Sequence, residues 1–177
     1  YKMHARWMNT NVEIAAGMLD VTDEKIQEFS NGEVVFPSPY DEGDPVHGSM
    51  NDPKIFGELG TKEPLMGHIE LPIPIVNIQY LFGSNPVLPR IIGIARKDIE
   101  KIVYYGAYVV TEPDGIGSTY KQILEEKEYK GFLMEHPETI CMTGAKAIEE
   151  IRKKEKARER EHIILHCLPV MPLSLRY

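Results

Sequence analysis

Apolar positions along this chain fall into short runs with two periods, and no run is long. Thr22 stands as an N-cap before Asp23 and Glu24, where a helix N-terminus favours anions. Ile26 and Phe29 follow at i, i+3 spacing, and Gly32 is the expected stop, giving one short helix. Before it, Val12–Leu19 is apolar and reads as a strand, while residues 1–11 show no period and read as a tail. His68–Phe82 is mostly apolar and β-branched and is broken by Pro72 and Pro74, which predicts two strands with the prolines at an edge or a join. Ile99, Ile102 and Val103 give a helix over Lys97–Tyr105, closed by Gly106. Ala107–Thr111 is a strand by β-branched content, and Pro113–Ser118 is a turn cluster. An amphipathic helix is predicted over Tyr120–Met134, with Ile123, Leu124 and Phe132 inward. Thr143 caps a last helix over about 144–161, its second half charged apart from Ala157, and His162–Val170 is a final strand. Between these elements, 37–64 is rich in Gly, Pro, Asp, Asn and Ser and reads as a long loop, a length that usually carries function or lies on a partner. The pattern is α+β, with mixed short helices and strands and a single domain over 12–177.

Composition narrows the function classes. The chain has 177 residues, 42% of them hydrophobic and 27% charged, which suits a packed core rather than disorder. Its formal net charge of −7 makes it a poor DNA binder on its own, because phosphate neutralisation supplies most nucleic-acid affinity. Basic groups on partner chains are expected to do most of that work. Two cysteines, Cys141 and Cys167, exclude a disulfide framework and a four-thiolate zinc site, and fit a reducing compartment. No apolar run approaches the ~18 residues that span a bilayer, and no signal peptide is visible. The chain starts at Tyr1 rather than Met and stops at Tyr177 after an apolar, Pro-containing segment; the expectation is a fragment, a processed product or one piece of a split polypeptide.

Three blocks stand out: MGHIEL at Met66–Leu71, YYGAYVVTEP at Tyr104–Pro113 and LPVMPLSLR at Leu168–Arg176. In this order they resemble the N-terminal clamp region of the largest subunit of cellular RNA polymerase, of the bacterial β′ type. VEIAAG, the loop YDEGDPVHGSMNDPKIFG, the unit RKDIEKIVYYGAYVV and MTGAKAIEEI are similar to the family's landmarks in the same order, so the resemblance covers about Val12–Arg176. It implies a single clamp-like domain that is not catalytic by itself and that lines the nucleic-acid channel of a DNA-directed RNA polymerase. Other polymerase subunits (a β-type subunit and the remainder of β′) are the implied partners, with DNA and RNA inside the complex and no membrane. No cofactor is expected in this chain. Mg2+ is expected elsewhere in the assembled polymerase, since the family's aspartate-rich metal loop has no counterpart here. Localisation is expected in the cytoplasm: bacterial, nucleoid-associated, or that of a virus-infected cell. The family's four-cysteine zinc ribbon, between the IFG and MGHIEL landmarks, is also missing; Glu58–Leu65 holds no cysteine.

Candidate chemistry is sparse. Arg90 and Arg96 flank an apolar segment and, with Arg176, are the expected nucleic-acid contacts; the alternative for such arginines is a solvated surface. No catalytic residue and no metal ligand is assigned. His68 and Glu70 share a strand face and read as a structural pair, there being no third ligand. His162, His166 and Cys167 suggest a small hydrolase only if an acidic partner exists, and the flanking leucines favour a buried, inert thiol. DGIGS at Asp114–Ser118 has two glycines but lacks the Gly-Lys-Ser/Thr ending of a phosphate loop, so a plain turn is expected. Tyr80, Tyr104, Tyr105 and Tyr108 read as core packing rather than a stacking platform for bases. The alternative to a polymerase subunit is a stand-alone, clamp-like interaction protein that binds polymerase or a transcription factor.

Overall fold

A computed structural model of the chain describes residues 22–37, 40–58, 65–82, 86–156 and 163–171. The expected tail, the Val12–Leu19 strand, Arg176, His162 and the charged stretch after Lys156 lie outside these residues. The fold is α+β. The chain divides into two compact units, Tyr1–Ile73 with Leu165–Tyr177, and Pro74–Ile164.

The first described element of the first unit is helix α1, Asp23–Phe29, capped by the Thr22 hydroxyl, which accepts the Lys25 N–H at 3.1 Å. The helix stops earlier than Gly32 predicts. Ser30 turns into extended backbone, and Gly32 lies within strand β1, Ser30–Glu33. β1 pairs in parallel with β4, Met66–Val76, and β4 is flanked on its other side by β8, Ile164–Val170. β4 is one unbroken strand where two were predicted: Pro72 and Pro74 sit inside it without ending it.

The long loop is more ordered than its composition suggests. It holds a small antiparallel ribbon of β2 (Tyr40–Asp41) and β3 (Asp44–Pro45), and the short helix α2 (Pro53–Phe56). Asp52 organises this stretch. Its buried carboxylate accepts the Gly48 N–H at 2.6 Å and the Lys54 N–H at 2.8 Å, and it meets His47 Nδ1 at 2.5 Å. Burial raises the Asp52 pKa, but these hydrogen bonds outweigh it and hold the carboxyl below its usual range. α2 then delivers Ile55 and Phe56 to a small core with Val34 and Val170.

In the second unit, α3 (Gln79–Phe82), α4 (Val87–Ile92) and α5 (Arg96–Val103) lead to a three-stranded antiparallel sheet of order β6-β5-β7. β5 spans Ala107–Glu112, β6 Ile123–Glu125 and β7 Ile140–Met142. Helix α6, Glu126–Glu135, links β6 to β7, and α7, Gly144–Lys154, follows β7. The core is built from Leu88 and Ile92 of α4, Ile99 and Ile102 of α5, Val109 of β5, and Ile148 and Ile151 of α7, all fully buried. The predicted helix over Tyr120–Met134 is therefore half wrong. Ile123 and Leu124 pair with Val109 and Tyr108 of the central strand, so the helix starts only at Glu126. There Glu125 and Glu128 form a reciprocal capping box. α6 buries no residue completely; stacking of Tyr129 on Tyr108 of β5, centroids 3.7 Å apart and rings 2° from parallel, ties it to the sheet. β7 was not anticipated. Thr143 does precede the last helix, but its hydroxyl does not cap it and donates instead to the carbonyls of Ala107 at 2.8 Å and Ile102 at 3.3 Å.

Candidate nucleic-acid interface

The two described arginines expected to meet nucleic acid lie on consecutive helices of the second unit. α4 is a short helix started by Pro86 and ended by Gly93 in the left-handed region, φ 69°, whose N–H closes on the Pro89 carbonyl. Val87, Leu88 and Ile92 take its inner face, which leaves Arg90 in its last turn exposed to solvent. α5 buries Ile99 and Ile102 and exposes Arg96 and Lys97 at its start. Neither Arg90 nor Arg96 makes an ion pair among the described residues. Arg96 is nonetheless engaged: its guanidinium lies 5.0 Å from the centroid of the Phe82 ring. Lys101, one turn further along α5, is neutralised by Glu125 at 2.6 Å.

The aromatic side chains do not all pack as the sequence suggests. Tyr108 is stacked on Tyr129, but Tyr104 and Tyr105 are 62% and 53% exposed. They are carried past the end of α5 as the chain turns back, with Tyr105 at φ 61°. The Tyr105 ring lies against the backbone of Gly144, where a Cβ would fall 2.7 Å from it.

The histidines resolve into structural pairs. Among the described residues each one faces a carboxylate. His68 Nε2 is 3.4 Å from Glu70, as the strand spacing implies, while its Nδ1 is 2.6 Å from the Ser30 hydroxyl. His47 meets Asp52, and His136 meets Asp114 at 2.6 Å. His166 does have an acidic partner, Asp23, whose carboxylate accepts the His166 N–H at 2.8 Å and the Cys167 N–H at 3.3 Å. Asp23 is 143 residues away in sequence, so no local spacing could reveal it. Burial pushes the Asp23 pKa up, but these N–H donors and the His166 ring outweigh it, and the carboxyl sits below its usual range. The arrangement does not make a nucleophile. Cys167 is fully buried, and desolvation with the adjacent Asp23 charge pushes its thiol up to about 12, leaving it protonated at neutral pH. No group of three or more His, Cys, Asp or Glu side chains among the described residues can hold a metal ion.

DGIGS folds into a cradle that is already filled. Asp114 Oδ1 accepts the N–H groups of Ile116, Gly117 and Ser118 at 3.0–3.2 Å and the Ser118 hydroxyl at 2.6 Å. Its Oδ2 meets His136, and Thr139 donates to the Ser118 hydroxyl at 2.9 Å. The Ser118 hydrogen bond leads the causes that hold the Asp114 carboxyl far below the usual range. The backbone donors that would bind a phosphate are used by the chain's own carboxylate, and the loop is thereby fastened to the end of α6 and the approach to β7.

No protein-family model matches the chain. Several curated proteins are similar to about half of it. DNA-directed RNA polymerase subunit beta' of Aster yellows witches'-broom phytoplasma (strain AYWB) is 38% identical over 97 residues, covering 54% of this chain and 7% of that protein. DNA-directed RNA polymerase subunit gamma of Synechococcus sp. (strain JA-3-3Ab) is 34% identical over 113 residues, covering 55% of this chain and 18% of that protein. The beta' subunit of Clostridioides difficile (strain 630) is 28% identical over 148 residues, covering 63% of this chain and 13% of that protein. The chain is thus similar to a partial region of the largest polymerase subunit, and it spans less than a fifth of the length of these relatives. No helix among the described residues is long and apolar enough to cross a membrane.

Proposed function

We propose that this chain is a clamp portion of the largest subunit of a DNA-directed RNA polymerase, where it forms part of the wall of the nucleic-acid channel and performs no catalysis by itself. The observation that carries the reading is the similarity to beta' and gamma subunits at up to 38% identity over about half of the chain. The packing supports it. Processive synthesis needs a channel of fixed shape, and rigid packed modules provide that shape without reacting groups of their own. Among the described residues, the histidines face carboxylates, the buried Cys167 thiol is protonated, and the Asp114–Ser118 cradle is occupied by the Asp114 carboxylate. What remains exposed is a surface.

Arg90 and Arg96 are the described residues proposed to face nucleic acid, Arg90 the more open of the two. Arg90 stands in solvent with no ion pair among the described residues; Arg96, stacked on Phe82, is proposed beside it, since its N–H groups remain free to meet a phosphate. Arg176 completes the expected set. With a net charge of −7, the chain positions nucleic acid only together with cations supplied by other subunits. A β-type subunit and the remainder of a β′-type subunit are the proposed partners, with Mg2+ held elsewhere in that assembly, and the cytoplasm is the proposed location.

The test is affinity purification of the tagged chain from its native cell, with identification of the chains that co-purify. Recovery of a second large polymerase subunit in stoichiometric amount is expected. Reproducible recovery of the chain alone, or with proteins unrelated to transcription, overturns the reading.

A further inference from the structure

From Leu71 to Lys97 the chain carries three cations, Arg90, Arg96 and Lys97, and no acidic residue, although the whole chain holds 27 acidic residues against 20 basic ones. Within this stretch the junction of β4 and α3 is firmly held. The Asn77 N–H donates to the Ile163 carbonyl at 2.8 Å, the Asn77 side chain accepts the Gln79 N–H at 3.1 Å, and Leu81 is buried in the core. That anchoring fixes the opposite face of the turn. Ile78 and Phe82 stand there at i, i+4 spacing, joined by the Phe82 N–H to Ile78 carbonyl bond, and are 57% and 37% exposed. Ile75, at the end of β4, is exposed as well. The Arg96 guanidinium lies over the Phe82 ring.

We infer that Ile78, Phe82 and Arg96 form a docking site for a segment of another polypeptide that offers an apolar side chain beside a carboxylate. This inference does not depend on the polymerase reading. Burial of the isoleucine and phenylalanine supplies the non-directional part of the affinity. The stacked guanidinium supplies the directional part, because its orientation is set before the partner arrives and its planar fork matches a carboxylate. Aromatic and arginine anchors of this kind dominate the energetics of protein interfaces. Arg90, Arg96 and Lys97 are the exposed cations of this stretch and favour an acidic partner, while Asp98 and Glu100, which follow on α5, limit that attraction to the start of the helix. A nucleic acid fits less well. Bases stack on open aromatic faces, whereas here Arg96 covers the ring and the neighbouring side chains are aliphatic.

The experiment uses the full 177-residue chain, immobilised, as target for a displayed library of random peptides, with single-stranded oligodeoxythymidylate assayed in parallel. Enriched peptides are expected to combine Asp or Glu with Leu, Phe or Trp. Their binding is expected to fall by about tenfold or more on Ile78→Ser and on Phe82→Ser, in keeping with loss of an interface anchor. Arg96→Glu is expected to reverse the charge choice, so that the same library then yields Lys- and Arg-containing peptides. These positions are exposed, and an unchanged circular dichroism melt for Arg96→Glu separates lost recognition from lost folding. Failure to enrich any peptide, enrichment indifferent to all three substitutions, or a charge choice unmoved by Arg96→Glu overturns the inference. So does tight oligonucleotide binding that disappears on Phe82→Ser without peptide enrichment, which assigns the face to nucleic acid.

Discussion

Ile55 of α2 lies against the backbone of Gly67 so closely that a Cβ on Gly67 would fall 2.7 Å from Ile55 Cγ2 and 3.1 Å from the Gly32 carbonyl. The contact joins two of the blocks on which the polymerase resemblance rests, the IFG end of the Asp-Gly-Pro-rich loop and the MGHIEL strand. A glycine is required in MGHIEL because a helix and a parallel neighbour both approach the strand there. Gly67→Ala is expected to destabilise the first unit by about 1–3 kcal/mol through overpacking, measured as a lower denaturant midpoint. Combined with Ile55→Ala, its cost is expected to be less than additive, since the second substitution removes the atom that clashes.

A second glycine is constrained twice. Gly144 sits at φ 71°, and a Cβ there would meet the Tyr105 ring at 2.7 Å. Gly144→Ala is expected to lower stability by more than about 1 kcal/mol, from left-handed strain together with the clash. Tyr105→Ala in the same chain is expected to recover only the part due to the clash, because the strain belongs to the backbone. Urea titrations of the two single variants and the double variant separate the contributions.

Asp114 makes the second unit sensitive to acid. Its folded carboxyl is held far below the usual range, so its unfolded form binds a proton first as pH falls. The stability it contributes is fully present above the unfolded pKa of about 3.9 and is lost as pH falls below that value toward the folded pKa. Asp114→Asn is expected to lower the thermal midpoint at pH 7 and to flatten its fall in the acid range. Melts collected from pH 7 down to pH 2 give both values. An unchanged acid limb places the sensitivity in another carboxylate.

The two cysteines are expected to behave differently toward alkylating reagents. With its thiol pushed up to about 12 by desolvation and the Asp23 carboxylate, Cys167 stays protonated at pH 8, and it is fully buried. Cys141 is partly exposed, and burial raises its pKa without a neighbouring carboxylate among the causes. Mass spectrometry after iodoacetamide treatment of the native chain is expected to find label on Cys141 well before Cys167, with both labelled in denaturant. Early labelling of Cys167 in the native state contradicts the buried pairing with Asp23.

Much of the fold is legible wherever local rules act alone. Thr22 with Asp23 and Glu24 marks α1, and the β-branched run Val109–Thr111 marks β5. Long-range partners decide the remainder. Ile123 and Leu124 have the spacing of a helix face, yet β5 takes them as a strand. Pro72 and Pro74 argue for a break, yet β4 runs through both. The candidate site divides in the same way. The His68–Glu70 pair follows from strand alternation, and the surface positions of Arg90 and Arg96 follow from the apolar residues around them. Asp23 against His166 and Cys167 is invisible at a separation of 143 residues. The docking face at Ile78 and Phe82 is hidden because exposed isoleucine reads in sequence as core.

The central claim concerns what Arg90 faces. A photo-crosslinking amino acid in place of Arg90, in the chain assembled with the proposed polymerase subunits on a nucleic-acid scaffold, tests it directly. Illumination is expected to join the chain to DNA or RNA, with a yield that falls as salt rises. Crosslinks to protein alone, in an assembly that is otherwise transcribing, would contradict the account.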